Sequence, residues 1–265
     1  MIAGDISRQI EEHERELSER WARVQGGLVR SSEEMLLFVV GEPVAFTNGV
    51  RMARLRPEEA DDRIEEAAAV FRDHGVRAIW WVGPASEPAD LGARLVRHGF
   101  RYQGAVPWLS RIIDPLPAAP VPPGIEVRRV DSEELDAAWL EAMIAGFGLD
   151  PSLVRAVARL ARAVGFAQDA PWQRFVALED GRPVGSSGLM TGEEWSSVHN
   201  VATVPPARGR GVATAMTAAA LERARELGHR TAALGAASAE ALRLYERMGF
   251  EFRCSIEEYL FEPEP

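Results

Sequence analysis

The chain has 265 residues, of which 46% are hydrophobic and 26% charged, and its formal net charge is −10. This composition is typical of a globular protein, and an acidic chain is disfavoured as a partner of nucleic acid or of an anionic membrane. Because it has no apolar run of roughly 18 residues, no basic flank at its start and a single cysteine, Cys254, we expect a cytoplasmic protein with no membrane span, signal peptide, disulfide or metal site.

The first part of the chain alternates helical and strand patterns. Apolar residues recur at helical spacing in two segments, the second of which stops at Gly75, a typical residue after a helix end. Short apolar runs bounded by glycine and proline predict strands. The predicted elements are helices at 5–24 and 58–74, strands at 36–40, 50–55 and 78–82, and a short helix leading to Gly99-Phe100.

Five prolines then occur in Pro115-Leu-Pro-Ala-Ala-Pro-Val-Pro-Pro-Gly124. Proline stiffens the backbone and removes hydrogen-bond donors, so this segment predicts a semi-rigid linker. We therefore predict two domains, residues 1–115 and 124–265, joined by a linker at 116–123.

The second part has a similar but longer order of elements. Asp180-Gly181 between two strand patterns predicts a tight hairpin. The predicted strands are 125–130, 172–179, 183–191, 197–204 and 231–234, with a strand pair from Gly249-Phe250 to about Phe261, and the predicted helices are 133–147, 153–164, 209–227 and 239–248.

The two parts also end alike. Arg72-Asp-His-Gly75 followed by Arg94-Leu-Val-Arg-His-Gly-Phe100 parallels Arg225-Glu-Leu-Gly228 followed by Leu244-Tyr-Glu-Arg-Met-Gly-Phe250. In both, a helix ending in glycine precedes a buried strand, a short helix and Gly-Phe. This parallel predicts an internal duplication.

The segment Arg208-Gly-Arg-Gly211 carries the clearest chemical signal, because it joins a strand directly to a helix. A helix start presents N–H groups without helical partners and a partial positive charge, and glycine lets these amides approach an anion closely. Arg208 and Arg210 add full positive charges. The segment therefore predicts a pyrophosphate site.

Other interpretations of this segment are a flexible surface turn, an ATP-type loop or a dinucleotide loop. The Gly-Lys-Ser/Thr ending of an ATP-type loop is missing, and the glycine spacing is wrong for a dinucleotide-binding fold. A flexible turn stays open on composition alone.

Two motifs at this point resemble the GCN5-related N-acetyltransferase (GNAT) superfamily. Arg208-x-x-Gly211-x-Ala213 is similar to its Gln/Arg-x-x-Gly-x-Gly/Ala signature, and Ser238-Ala-Glu-Ala-Leu-Arg-Leu-Tyr-Glu-Arg-Met-Gly-Phe250 is similar to its Asn-x-x-Ala-x-x-x-Tyr … Gly-Phe motif. The resemblance spans residues 124–262. It implies an α+β fold of two GNAT-like domains, each with a mixed, mostly antiparallel, splayed sheet flanked by helices.

The resemblance also implies a cofactor site for acetyl-CoA. Main-chain groups of the splayed strand would hold the pantetheine arm, an amide near Val201 would polarise the thioester, and the turn would hold the pyrophosphate. Tyr245 would protonate the departing thiolate, although its helical spacing also suits a core tyrosine. The implied cofactor-binding residues are Val201, Ala202, Thr203, Arg208, Gly209, Arg210, Gly211, Val212, Ala213 and Ser238.

Some features depart from the family pattern or leave roles open. Ser238 stands in place of the usual asparagine, which removes one donor, and Ala213 replaces the commoner glycine. The base that deprotonates the amine stays open among Glu193, Glu194, His199 or no dedicated residue.

The first part resembles the degenerate N-terminal domain of tandem GNAT proteins. Where the second part has its glycine turn, it reads Arg56-Pro-Glu-Glu-Ala-Asp-Asp62, and Leu95 stands in the position of Tyr245. Clustered carboxylates would repel pyrophosphate. We therefore expect an inactive domain that packs on the active one and forms one wall of the acceptor pocket.

The resulting expectation is an acetyltransferase acting on a small-molecule primary amine by direct attack in a ternary complex. Cys254 is a poor nucleophile because neither histidine nor a helix start adjoins it. The main alternative is a non-catalytic acyl-CoA-binding or regulatory module, and a different nucleotide-phosphate binder is a third. Neither a metal, a nucleic acid nor a membrane is expected as a partner, and homodimer formation stays open.

Overall fold

The computed structural model describes residues 3–42, 44–116 and 119–263, and the chain divides into two compact units. The first unit comprises Met1–Trp108 with Arg253–Pro265, and the second comprises Leu109–Phe252. Pro117 and Ala118 of the expected linker lie outside the described residues. The division of the chain into functional domains at 116–123 stays a prediction.

The first unit contains three helices and six strand segments within its described residues. The helices are α1 (Ala3–Val24), α2 (Ala60–Asp73) and α3 (Leu91–Arg97), and the strands are β1 (Leu28–Ser31), β2 (Leu36–Val39), β3 (Asn48–Arg51) and β4 (Ala78–Val82), with residues 101–108 of β5 (Arg101–Ile112) and residues 253–261 of β11 (Glu251–Phe261).

Strands of this unit pair in the order β1-β2-β3-β4-β11. The pairs β1–β2, β2–β3 and β4–β11 are antiparallel, whereas β3 and β4 are parallel. Trp80, Leu95 and Phe100 are almost completely buried, and the rings of Trp80 and Phe100 meet edge to face with centroids 5.8 Å apart. The apolar side of α2 covers this core through Ile64 and Phe71.

The second unit contains four helices and five complete strands in the part of the chain that the structure describes. The strands are β6 (Ile125–Arg129), β7 (Trp172–Glu179), β8 (Arg182–Thr191), β9 (Ser196–Thr203) and β10 (Thr231–Gly235), and the helices are α4 (Glu133–Phe147), α5 (Pro151–Val164), α6 (Val212–Glu226) and α7 (Ala239–Arg247).

These strands pair in the order β10-β9-β8-β7-β6. All neighbours are antiparallel except β9 and β10, which are parallel. The hairpin of β7 and β8 turns at Asp180 and Gly181, with φ angles of 49° and 75°, as the Asp-Gly pair predicts. Mixed, mostly antiparallel sheets flanked by helices confirm the predicted fold class.

Local signals in the sequence fix the ends of α4. The Ser132 side chain accepts a hydrogen bond from the Leu135 amide, and Gly148 ends the helix with a left-handed φ of 66°. Such pairs of stop signals explain why its bounds coincide with the predicted 133–147.

Some expectations about individual elements are wrong. The pattern missed β1 and β5, the latter because Gly104 and Pro107 resemble strand breakers. The predicted strand 50–55 is Asn48–Arg51, the helix predicted from residue 209 begins at Val212, and the strand pair expected after Gly249-Phe250 is the single strand β11.

None of the helices in the described ranges is both long and apolar enough to cross a membrane.

Candidate functional site

An open strand edge lies at the centre of the second unit. The parallel strands β9 and β10 pair only through Ser196 with Ala232 and Ser197 with Ala233, while β9 continues to Thr203. Beyond Ser197 the two strands therefore diverge, as the predicted splay requires. A splay leaves main-chain groups of β9 available to a molecule between the strands.

A bulge in β9 occurs at the same place. Ser186 of β8 pairs with Ala202, but Gly188 pairs with His199, so one residue of β8 faces both Asn200 and Val201. Asn200 has a φ of 56°, in the left-handed region. A bulge with one residue in this conformation redirects the following peptide group relative to a regular strand.

The glycine turn follows β9. Gly209 and Gly211 have φ angles of 74° and 86°, which side chains with a Cβ rarely adopt. Gly211 is the residue before the first turn of α6, and no side chain caps this helix. The first amides of α6 therefore face outward without helical partners, in a position suited to an anion.

These features surround one cavity of about 430 Å³. Nine of the ten predicted cofactor-binding residues line it, together with Tyr245, and Arg210 is the exception. The nine are Val201, Ala202, Thr203, Arg208, Gly209, Gly211, Val212, Ala213 and Ser238. The cavity thus joins the splayed strand, the glycine turn and α7.

The two arginines of the turn contact protein groups. Arg208 donates from Nη2 to the Gly146 carbonyl at 2.9 Å and from Nε to the Thr203 carbonyl at 3.2 Å. Arg210 donates from Nη1 to Glu179 Oε2 at 3.0 Å, and this hydrogen bond lowers the pKa of the Glu179 carboxyl. Arg208 consequently joins the end of α4 to the end of β9, and the charge of Arg210 is balanced by a carboxylate.

Ser238 and Tyr245 reach the cavity from α7. The Ser238 hydroxyl caps the helix by accepting from the Ala241 amide at 3.1 Å. Tyr245 is only 6% exposed and packs edge to face on Phe250, with ring centroids 6.0 Å apart. Burial raises the pKa of Tyr245 to about 12, so the hydroxyl keeps its proton at neutral pH.

The candidate bases lie outside the lining of this cavity. His199, on β9, has its Nε2 at 2.7 Å from the Ser197 hydroxyl oxygen, and its side chain is half-buried. Glu193 and Glu194 are exposed in the turn between β8 and β9. The choice among these three residues and no dedicated base stays open.

Gly146 of α4 also lines the cavity, although no motif in the sequence pointed to it. A Cβ built on Gly146 would lie 2.7 Å from the Ala202 Cβ, so glycine permits α4 to pack closely on β9. The need for glycine here arises from the contact of two elements that are distant in the sequence.

Arg247, near the end of α7, is a second lining residue that sequence reasoning missed. Its side chain is exposed and forms no hydrogen bond or ion pair within residues 3–42, 44–116 and 119–263. No sequence pattern distinguishes Arg247 from the several other charged residues of α7.

Two other chemistries have no support in the described ranges. No group of three His, Cys, Asp or Glu side chains there is arranged to hold a metal ion. Cys254 belongs to the first unit and is buried, and burial raises the pKa of its thiol to about 11. A thiol with so high a pKa is a weak nucleophile at neutral pH.

Comparisons with known proteins agree with this geometry. Residues 140–250 match the model of the acetyltransferase (GNAT) family. The chain is 27% identical to the mycothiol acetyltransferase of Sanguibacter keddieii, over 85% of this chain and 73% of that protein. It is 29% identical to the mycothiol acetyltransferase of Geodermatophilus obscurus, over 87% of this chain and 74% of that protein.

A solved structure extends the similarity to the fold. The GCN5-related N-acetyltransferase from Kribbella flavida superposes with a TM-score of 0.79 at 20% identity, over 98% of this chain and 96% of that one. Residues 140–250, which contain both motifs, thus match the GNAT family, and the chain has the fold of a GCN5-related N-acetyltransferase.

Proposed function

We propose that the second unit transfers an acetyl group from acetyl-CoA to a primary amine, by direct attack in a ternary complex. The observation that carries this proposal is the cavity that joins the open edge of β9, the glycine turn and Tyr245. Each of these features suits a different part of one cosubstrate.

Binding of the cosubstrate depends mainly on backbone groups. Amides from Gly209 to Ala213 face the diphosphate, and the start of α6 adds its partial positive charge. Main-chain groups of Val201 to Thr203 bind the pantetheine arm along the open edge. Arg247 supplies a charged side chain for the phosphate of CoA that lies outside the diphosphate. Arg208 and Arg210 already contact protein groups.

The chemical step requires an oxyanion donor and an acid. The amine nitrogen attacks the thioester carbonyl carbon, and the Val201 amide stabilises the negative charge on the carbonyl oxygen. The carbon–sulfur bond then breaks, and Tyr245 donates its proton to the thiolate sulfur. The proton lost by the amine passes to water or to one of His199, Glu193 and Glu194, and Tyr245 regains a proton from solvent.

The raised pKa of Tyr245 is compatible with this role. Burial keeps the hydroxyl protonated until the thiolate forms beside it. The same burial raises the proton affinity of a thiolate, because removal from water disfavours every anion. The donor and the acceptor are therefore shifted in the same direction.

The acceptor is proposed to be a small-molecule amine. Two relatives are named mycothiol acetyltransferases, which supports a small thiol-containing acceptor more than a protein terminus. The net charge of −10 adds a weak preference for cationic amines.

The second candidate is an acyl-CoA-binding module without catalysis. The burial of Tyr245 against Phe250 favours it, because a core tyrosine needs no chemical role. Such a module needs the diphosphate site but no acid.

Thiol release from acetyl-CoA, measured against a broad panel of amines, tests the proposal. We expect amine-dependent release, together with calorimetric binding of CoA. Binding without release by any amine would favour the non-catalytic module. No heat of CoA association at millimolar ligand would overturn both candidates.

A further inference from the structure

The peptide group between Asn200 and Val201 is held from the neighbouring strand. Ser186 of β8 is completely buried, and its hydroxyl donates to the Asn200 carbonyl oxygen at 2.9 Å. The Asn200 carbonyl therefore points toward β8.

The direction of the next amide follows from this bond. The 200–201 peptide is trans, so its N–H points opposite to its carbonyl. Strand β9 lies between β8 and β10, and its pairing with β10 ends at Ser197. The Val201 N–H consequently points away from β8, into the splay that lines the cavity.

This orientation needs an external restraint. Asn200 has a φ of 56°, in the left-handed region that residues with a Cβ seldom occupy within a strand. Its own side chain does not hold the peptide, because Oδ1 is buried without a donor among the described residues.

We propose that Ser186 is a positioning residue, which fixes the Val201 amide in the orientation that stabilises the oxyanion. This inference rests on the proposed acetyl transfer. Ser186 touches neither substrate in this scheme and acts only through the peptide that it holds.

The adjacent serine provides a matched control. Ser187 is also completely buried, and its hydroxyl also donates to a backbone carbonyl, that of Met216 in α6 at 3.0 Å. Ser186→Ala and Ser187→Ala thus remove the same atom and the same kind of bond from neighbouring buried positions.

Kinetics and NMR together test the inference. In S186A we expect kcat to fall about tenfold to a hundredfold, with KM for acetyl-CoA changed by less than about twofold. In S187A we expect kcat near the wild-type value. In the cosubstrate-free protein, the Val201 amide resonance should move several-fold further in S186A than in S187A.

The two readouts separate the failure of this inference from the failure of the proposed function. An unmoved Val201 resonance in S186A, or equal losses of kcat in both variants, would overturn the role of Ser186 even in an active enzyme. A wild-type protein that transfers no acetyl group would overturn the proposed function, while the resonance would still report whether Ser186 orients the amide.

Discussion

The two units each contain a parallel strand pair that is joined at only two positions. In the first unit, β3 and β4 pair at Gly49 with Ile79 and at Val50 with Trp80, just as β9 and β10 pair at two positions in the second. A residue with positive φ follows in each, Met52 at 50° and Asn200 at 56°. The two units thus share the backbone conformation beside the splay, as an internal duplication would predict.

The units differ in what happens beyond that residue. In the first unit, the Leu55 amide donates to the Glu87 carbonyl at 3.0 Å, and the Glu87 amide donates to the Ala53 carbonyl at 2.8 Å. Within the described residues of the second unit, no such bond joins 201–203 to 236–238. One edge is closed by its own chain, whereas the other is open to a ligand.

The first turns of α2 and α6 also differ, because only that of α2 contains acidic residues. Asp61 and Asp62 occupy the first turn of α2, and Asp61 Oδ1 lies 3.1 Å from His98 Nε2. The first turn of α6 contains no acidic residue and follows Gly211. We propose that the first unit is an inactive copy, because both the strand edge and the helix start are filled by protein groups.

Among these predictions, we expect the largest effect on turnover from replacing Tyr245. The first unit has Leu95 at the corresponding position and so has no proton donor there. We expect Tyr245→Phe to lower kcat by about 10²-fold or more, through loss of the proton donor, with CoA affinity nearly unchanged. Phenylalanine keeps the packing on Phe250. Stopped-flow or steady-state thiol release and CoA calorimetry would measure the two quantities.

The first unit offers the control for this substitution. Tyr259 is also a buried tyrosine, and its hydroxyl donates to Glu257 at 2.7 Å. Tyr259→Phe should leave kcat near the wild-type value. If Tyr245→Phe retained full turnover, its hydroxyl would have no role as an acid.

An acidic residue in the first turn of α6 should make this helix start unfavourable for an anion, as we expect the start of α2 to be. Ala213 occupies the second position of its helix, as Asp61 does in α2. We expect Ala213→Asp to weaken CoA binding by about 10²-fold, since two like charges about 5 Å apart at an effective dielectric of about 20 repel by about 3 kcal/mol. Ala213→Asn, of equal size without charge, should lose much less affinity, and similar losses in both variants would contradict an electrostatic cause.

Local patterns predicted much of this molecule. The bounds of α4 and β7 follow from helix caps and from a buried apolar run, and the site motifs identified ten residues that line the cavity, Tyr245 among them. These features depend on residues close together in the sequence.

Features that depend on distant pairing were not predictable. The bulge at Asn200 requires the register of β8, and the closure of the first splay requires Glu87 to meet Ala53 and Leu55, far earlier in the chain. The sequence pattern also predicted that both arginines of the turn bind the pyrophosphate. In the structure they contact Gly146 and Glu179 instead, and these contacts arise only from tertiary packing.

We expect the smallest effect from substituting the residues that precede α7 and α3, and this effect is on helix stability. Ser238 caps α7 through its hydroxyl, whereas Asp90 caps no amide of α3 with its side chain and pairs with Arg94 at the surface. We expect Ser238→Ala to destabilise α7 by about 1 kcal/mol and so to speed its amide hydrogen exchange about fivefold. Asp90→Ala should change exchange in α3 by less than about twofold, because solvent screens the partly exposed pair that Asp90 forms with Arg94. If the rate of exchange changed equally in both helices, the Ser238 hydroxyl would be no better a helix cap than the Asp90 side chain. The serine in the motif would then act only through contact with the cosubstrate.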